Sequence, residues 1–95
     1  RAMVIGCAEV TFRAEWVHSL KEKRMVLKSL MERTRNRYHV AIAEVDRQDV
    51  HQEMVIGFAC VSNRASHAEE MVDKVIDFLE KNTDAVLCRV EKEIW

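Results

Sequence analysis

The stretch VIGCAEV at residues 4–10 returns as VIGFACV at residues 55–61. Both runs are apolar and rich in β-branched residues, which is typical of buried strands. Each run is followed by a serine with a glutamate three positions later, first Ser19 with Glu22 and then Ser66 with Glu69. This spacing is that of a capping box, in which the two side chains satisfy backbone N–H groups at the start of a helix. The chain therefore contains two copies of a predicted strand followed by a predicted helix.

Each predicted helix is followed by a further strand-like run. The helices are expected at about 20–37 and 67–81, and the following strands at 39–46 and 85–95. The order β-α-β-β-α-β predicts an α+β fold of the ferredoxin-like type, a four-stranded antiparallel sheet with both helices on one face. The 95 residues suffice for a single domain. We expect it to span 3–95, because Arg1 and Ala2 precede Met3, the expected natural start.

The sheet face away from the helices is expected to need a cover. If Gly6 and Gly57 both point to the helices, strand alternation places apolar side chains on the open face. Those expected to form it are Ile5, Cys7, Met54, Ile56 and Phe58. A face this apolar is usually covered by a partner. Because most soluble oligomers are symmetric assemblies of one chain, the expected cover is a second copy in a homodimer. The first strand offers no aromatic residue there, and Glu9, Glu44 and Glu91 are expected nearby, so base stacking on the sheet is not expected.

Charge is unevenly distributed along a chain whose net charge is only −1. Residues 18–39 contain seven basic and two acidic residues, whereas residues 64–95 contain five basic and eight acidic ones. The basic residues of the first helix are Lys21, Lys23, Arg24, Lys28, Arg33, Arg35 and Arg37. On a helical wheel most of them form a stripe along one flank, and Arg33 and Arg37 lie on the other. Such a stripe is either a solvated helix face or a surface that contacts phosphates.

Residue patterns typical of catalysis and of cofactor binding are not found. The loop after the first strand, RAEWVHS, lacks the glycines of a phosphate-binding loop, and no serine or cysteine has an evident activating base. The acidic run EVDRQDVHQE lacks the glycine of a calcium loop, so a solvated hairpin is expected instead of a metal site. We expect no enzyme activity and no cofactor. No apolar run is long enough to span a membrane.

The three cysteines, Cys7, Cys60 and Cys88, lie in strand-like apolar runs and form no C-x-x-C pair. Buried reduced thiols of this kind favour a cytoplasmic protein.

Several segments carry a family resemblance. The run HSLKEKRMVLKSL at 18–30, AEVDRQD at 43–49 and VSN at 61–63 resemble the YlxP-like family of small bacterial proteins. The resemblance covers essentially the whole chain from Met3 onward. It implies a cytoplasmic ferredoxin-like domain without an established enzyme activity. Members tend to be encoded near translation factors and ribosome-binding factor A, which implies a link to the ribosome.

Two functional hypotheses follow. In the first, the basic helix binds ribosomal RNA or a ribosome-assembly intermediate, with Lys21, Lys23, Arg24, Lys28 and Arg35 contacting phosphates and Arg33 and Arg37 forming a second row. In the second, the chain is a homodimeric protein-interaction module without a nucleic-acid partner. Its contact would be the basic helix or the hairpin loop Asp46, Arg47, Gln48 and Asp49.

Overall fold

The computed structural model describes residues 2–95 and contains six elements in the expected order. They are β1 (Val4–Arg13), α1 (Leu20–Arg37), β2 (Ala41–Asp46), β3 (Glu53–Ser62), α2 (Ala65–Lys81) and β4 (Val86–Ile94). Arg1, one of the two residues expected to precede the natural start, lies outside the described residues.

The four strands form one antiparallel sheet in the order β2-β3-β1-β4. The two strands that carry the repeated sequence, β1 and β3, are the central neighbours. Both helices pack on the same face and bury apolar side chains such as Phe12, Leu30 and Leu79 against it. The predicted ferredoxin-like fold is confirmed.

The prediction of which β3 side chains lie on the open face is wrong by one residue. The antiparallel register pairs Gly6 with Cys60 and Gly57 with Glu9, so the two glycines lie on opposite faces of the sheet. Of the residues expected on the open face, those of β1 are there. Those of β3 face the helices and are buried in the core: Met54, Ile56 and Phe58. Glu44 also faces the helices, because it lies opposite Ile56 in the register of β2 and β3.

The two glycines are expected to respond differently to alanine. A Cβ at Gly6 would lie 2.9 Å from Val72 Cγ2 and 3.0 Å from the Ala68 carbonyl oxygen, between the sheet and α2. A Cβ at Gly57 would lie 2.8 Å from Cγ1 of Val45, but that side chain is 45% exposed and can rotate away. Gly6→Ala should therefore lower the free energy of unfolding by about 1–3 kcal/mol, and Gly57→Ala by less than about 1 kcal/mol. Urea denaturation measures both, and equal losses would contradict this account of the two faces.

Helix α2 begins earlier than its sequence pattern predicts. It starts at Ala65, its N-cap is Arg64, and no side chain caps it. Ser66 therefore lies inside the helix, and the second predicted capping box is wrong. The first is largely confirmed: Ser19 Oγ accepts from the Glu22 backbone N–H at 3.0 Å. The Glu22 carboxylate accepts in turn from the His18 backbone N–H at 2.7 Å, one residue before the cap.

The cysteines differ in exposure. Cys60 is buried, and burial raises the pKa of its thiol. Cys7 is half-buried on the open face. Cys88 is exposed, so the expectation that all three thiols are buried is wrong for this residue. It lies at an irregularity in the pairing of β1 with β4, where the strand alternation is interrupted.

Candidate nucleic-acid interface on the first helix

One arc of α1 packs against the sheet and against α2. The arc contains Leu27, Leu30 and Thr34, all buried, and Thr34 Oγ1 donates to the Leu30 carbonyl at 2.8 Å. Lys23 lies on the same arc and its side chain is only 1% exposed. The opposite arc of α1 faces solvent and carries most of the remaining positive charge.

Lys23 is a structural residue. Its ammonium lies 2.7 Å from Glu44 Oε2 and donates to the backbone carbonyls of Arg47 and Val50, each at 2.7 Å. Glu44 Oε2 is itself buried, and the ammonium is its ionic partner. The hypothesis that Lys23 contacts phosphate is therefore wrong, because its side chain is buried, its ammonium donates to two carbonyls and its charge is paired with Glu44 inside the protein.

The same contacts hold the loop between β2 and β3. Arg47 adopts a left-handed backbone conformation with a φ of 55°, and its carbonyl also accepts from the Val50 N–H at 3.0 Å. Asp46, Arg47, Gln48 and Asp49 are all exposed around this turn. The two segments of the chain that carry the clearest resemblance, SLKEKR and AEVDRQD, thus meet at the ion pair between Lys23 and Glu44.

Three cations of the exposed arc have no partner in the described part of the chain. Lys21, Arg24 and Lys28 are exposed. None of them lies within 4.0 Å of a carboxylate or forms a side-chain hydrogen bond within residues 2–95. On a helical wheel they fall within about 60° of one another, and they span about 10 Å along the axis. They form a stripe of uncompensated charge.

Three arginines extend this positive region but already have neutral partners. Arg35 is exposed near the end of the helix and continues the stripe, and its Nη2 donates to the Ile42 carbonyl at 3.3 Å. Arg33 lies on the other flank, where its Nη1 donates to the Asn82 carbonyl at 3.1 Å. The Arg37 guanidinium lies 4.8 Å from the centre of the Tyr38 ring. Arg35 therefore lies with the stripe, whereas Arg33 connects α1 to the C-terminal end of α2 through Asn82.

Four of the five cations in residues 64–95 are paired with carboxylates, and Arg64 is not. Lys74 pairs with Glu70 at 3.0 Å, Lys81 with Asp77 at 2.9 Å, and Lys92 with Asp73 at 2.8 Å. The hydrogen bonds that Lys81 donates to Asp77 and Lys92 donates to Asp73 raise the pKa of each lysine. Arg89 pairs with Glu91 at 2.9 Å. On α1, by contrast, only Lys23 has a carboxylate partner within residues 2–95.

These observations define the class of protein: a ferredoxin-like α+β domain that carries an uncompensated cationic stripe on its first helix. The chain belongs to the family described as "Protein of unknown function (DUF503)", whose model matches residues 5–92. It is 36% identical over 77 residues to the "Uncharacterized protein YlxP" of Bacillus subtilis (strain 168), covering 81% of this chain and 84% of that protein. The YlxP-like resemblance is confirmed.

A solved structure supports the fold alone. The designed protein Foldit4 superposes with a TM-score of 0.55 and covers 98% of this chain and 96% of its own, at 14% identity. Within residues 2–95, neither helix combines the length and the apolar character that crossing a membrane requires.

Proposed function

We propose that this chain is a cytoplasmic, non-enzymatic accessory protein that binds ribosomal RNA or a ribosome-assembly intermediate through the cationic stripe of α1. Lys21, Arg24, Lys28 and Arg35 contact phosphates in this proposal. Lys23 contributes indirectly, by holding the helix against the β2–β3 loop. Arg33 and Arg37 lie on the other flank and are left out of the contact.

The observation that supports the proposal is the contrast between the exposed cations of α1 and those of α2 and β4. Four cations of α2 and β4 are paired with carboxylates, whereas Lys21, Arg24 and Lys28 are not paired with any carboxylate in residues 2–95. Unpaired cations on a rigid helix are available to neutralise phosphates, with binding driven by the release of counterions. The stripe contains no aromatic residue, so it suits contacts with the RNA backbone and not the reading of bases.

A second candidate is a protein-interaction module whose contact is the loop Asp46, Arg47, Gln48 and Asp49. Two backbone carbonyls around this exposed loop are held by the buried Lys23 ammonium. A loop ordered in advance loses less conformational entropy when it binds a partner. The expected homodimer stays a prediction, and sedimentation equilibrium can test it. Three of the five apolar side chains that favoured a dimer through the open face lie in the core instead.

Co-sedimentation with ribosomal particles distinguishes the two candidates. The triple variant Lys21→Glu, Arg24→Glu and Lys28→Glu should lose co-sedimentation while keeping the circular dichroism spectrum of the unaltered protein. Nuclease treatment should release the unaltered protein from its partners if the contact is RNA. A partner that is retained after nuclease treatment, with the charge-reversed variant still bound, would support the loop-based module instead.

A further inference from the structure

The open face of the sheet forms a groove of about 560 Å³ with two unlike halves. The pairing of the strands arranges its lining in rows that cross all four strands. One row runs from β2 to β4 through Ala43, Gly57, Glu9 and Glu91. The next row runs through Ala41, Ala59, Cys7 and Glu93. The β2–β3 half of the groove is therefore floored by alanine and glycine, with Val45 beside Gly57, and the β1–β4 half carries three carboxylates.

The charges in this groove are poorly compensated. Glu9 and Glu91 lie directly opposite one another on neighbouring strands, an arrangement that destabilises a sheet. Glu91 has Arg89 as a partner at 2.9 Å. Glu9 and Glu93 have no cation within 4.0 Å in the described part of the chain. Arg89 compensates Glu91 alone, and a cationic occupant would also neutralise Glu9 and Glu93.

An exposed aromatic side chain also lines the groove. Trp95 lines it and is 66% exposed. Its backbone is held in the sheet by two hydrogen bonds to Ile5, at 2.7 Å and 3.1 Å. An exposed indole held in this way can stack on a guanidinium or cover an alkyl chain.

We propose that this groove docks an extended segment of another protein in which arginine or lysine alternates with small apolar residues. Side chains two positions apart on β4, such as Glu91 and Glu93, are about 6.8 Å apart along the strand. An extended segment has the same repeat, so its successive cationic side chains match these two carboxylates. Because side chains alternate along an extended segment, the small residues between the cationic ones would face away from the sheet. The aliphatic stems of the cationic residues would cover the alanine and glycine floor.

Charge decides between this occupant and a second copy of the chain. A symmetric pairing of the open faces would bring two acidic halves into one interface, and like charges across an interface are costly. A cationic segment replaces that repulsion by attraction. The inference is independent of the RNA proposal, because it concerns the opposite face of the sheet and is tested with different variants.

Fluorescence anisotropy with two labelled peptides of identical composition tests the proposal. One peptide alternates arginine and alanine, and the other contains the same residues in separate blocks. The alternating peptide should bind the unaltered protein at least about threefold more tightly. The double variant Glu9→Gln and Glu93→Gln should weaken its binding about fivefold or more, since two partly exposed ion pairs are lost.

The matched control is Glu69→Gln with Glu80→Gln, which removes two exposed carboxylates from α2 and causes the same change in net charge. It should leave the affinity within about twofold of the unaltered value, and thermal unfolding should show that both double variants are folded. Equal weakening by the two double variants, equal affinity for the two peptides, or no binding would overturn the proposal. A stable dimer that occupies the groove, detected by sedimentation equilibrium, would also overturn it.

Discussion

Lys23→Met is expected to lower the free energy of unfolding by about 3–5 kcal/mol, the cost of removing one partner from a buried ion pair. The Lys23 side chain is 1% exposed and the Glu44 side chain 17% exposed, so water cannot replace the lost contact effectively. The carbonyls of Arg47 and Val50 lose a donor as well. Urea denaturation followed by circular dichroism measures the loss. The control Lys28→Met, at an exposed position of the same helix, should stay within about 0.5 kcal/mol of the unaltered protein.

A second variant separates the ion pair from the space that the lysine fills. The double variant Lys23→Met with Glu44→Leu removes both charges, and buried ion pairs replaced by apolar residues of similar volume often recover the lost stability. We therefore expect it to be more stable than Lys23→Met alone. A loss of less than about 1 kcal/mol in the single variant would contradict the structural role assigned to Lys23.

Neutralising the stripe should weaken the binding of RNA without affecting the fold. In the triple variant Lys21→Gln, Arg24→Gln and Lys28→Gln, three exposed contacts with phosphate are removed, each contributing roughly 0.5 kcal/mol. The dissociation constant for a single-stranded RNA should then rise about tenfold near 0.1 M salt. Filter binding or fluorescence anisotropy measures the change.

The chain supplies a matched control for this triple variant. Lys74→Gln, Lys81→Gln and Arg89→Gln together cause the same change in net charge, but each of these cations is paired with a carboxylate of its own chain. The control should raise the dissociation constant by less than about twofold. A comparable rise in the two variants would mean that RNA responds to the overall charge of the protein and not to the stripe.

The fold was predictable because local signals agreed with one another. The serine cap and the apolar spacing of the first helix predicted its bounds, and the structure has the same helix from Leu20 to Arg37. The repeat between residues 4–10 and 55–61 identified the two central strands. The same repeat misled the assignment of faces. In the register of β1 and β3, even-numbered residues of both strands lie on one face, as in the pair Gly6 and Cys60. The two copies of the repeat are an odd number of residues apart, so equivalent residues such as Gly6 and Gly57 lie on opposite faces.

The role of Lys23 could have been inferred from the helical wheel. Lys23 falls between the buried positions Leu30 and Thr34, near the centre of the arc that packs against the sheet. A lysine there requires a buried anion, and Glu44 on the neighbouring strand is that anion. Its partner carbonyls could not be predicted, because they depend on the left-handed conformation of Arg47 in a loop without glycine. Glu9 and Glu91 were expected near the open face, but the alanine and glycine floor beside them was missed, because it depends on the register that places Gly57 opposite Glu9.

The most direct test of the central claim is the dependence of RNA affinity on salt concentration, measured in parallel for the unaltered protein and for the variant Lys21→Gln, Arg24→Gln and Lys28→Gln. If the stripe neutralises phosphates, the slope of the logarithm of the binding constant against the logarithm of salt concentration should become shallower by about 2 in the variant. Identical slopes for the two proteins, or an affinity of the unaltered protein that does not change with salt, would contradict the claim.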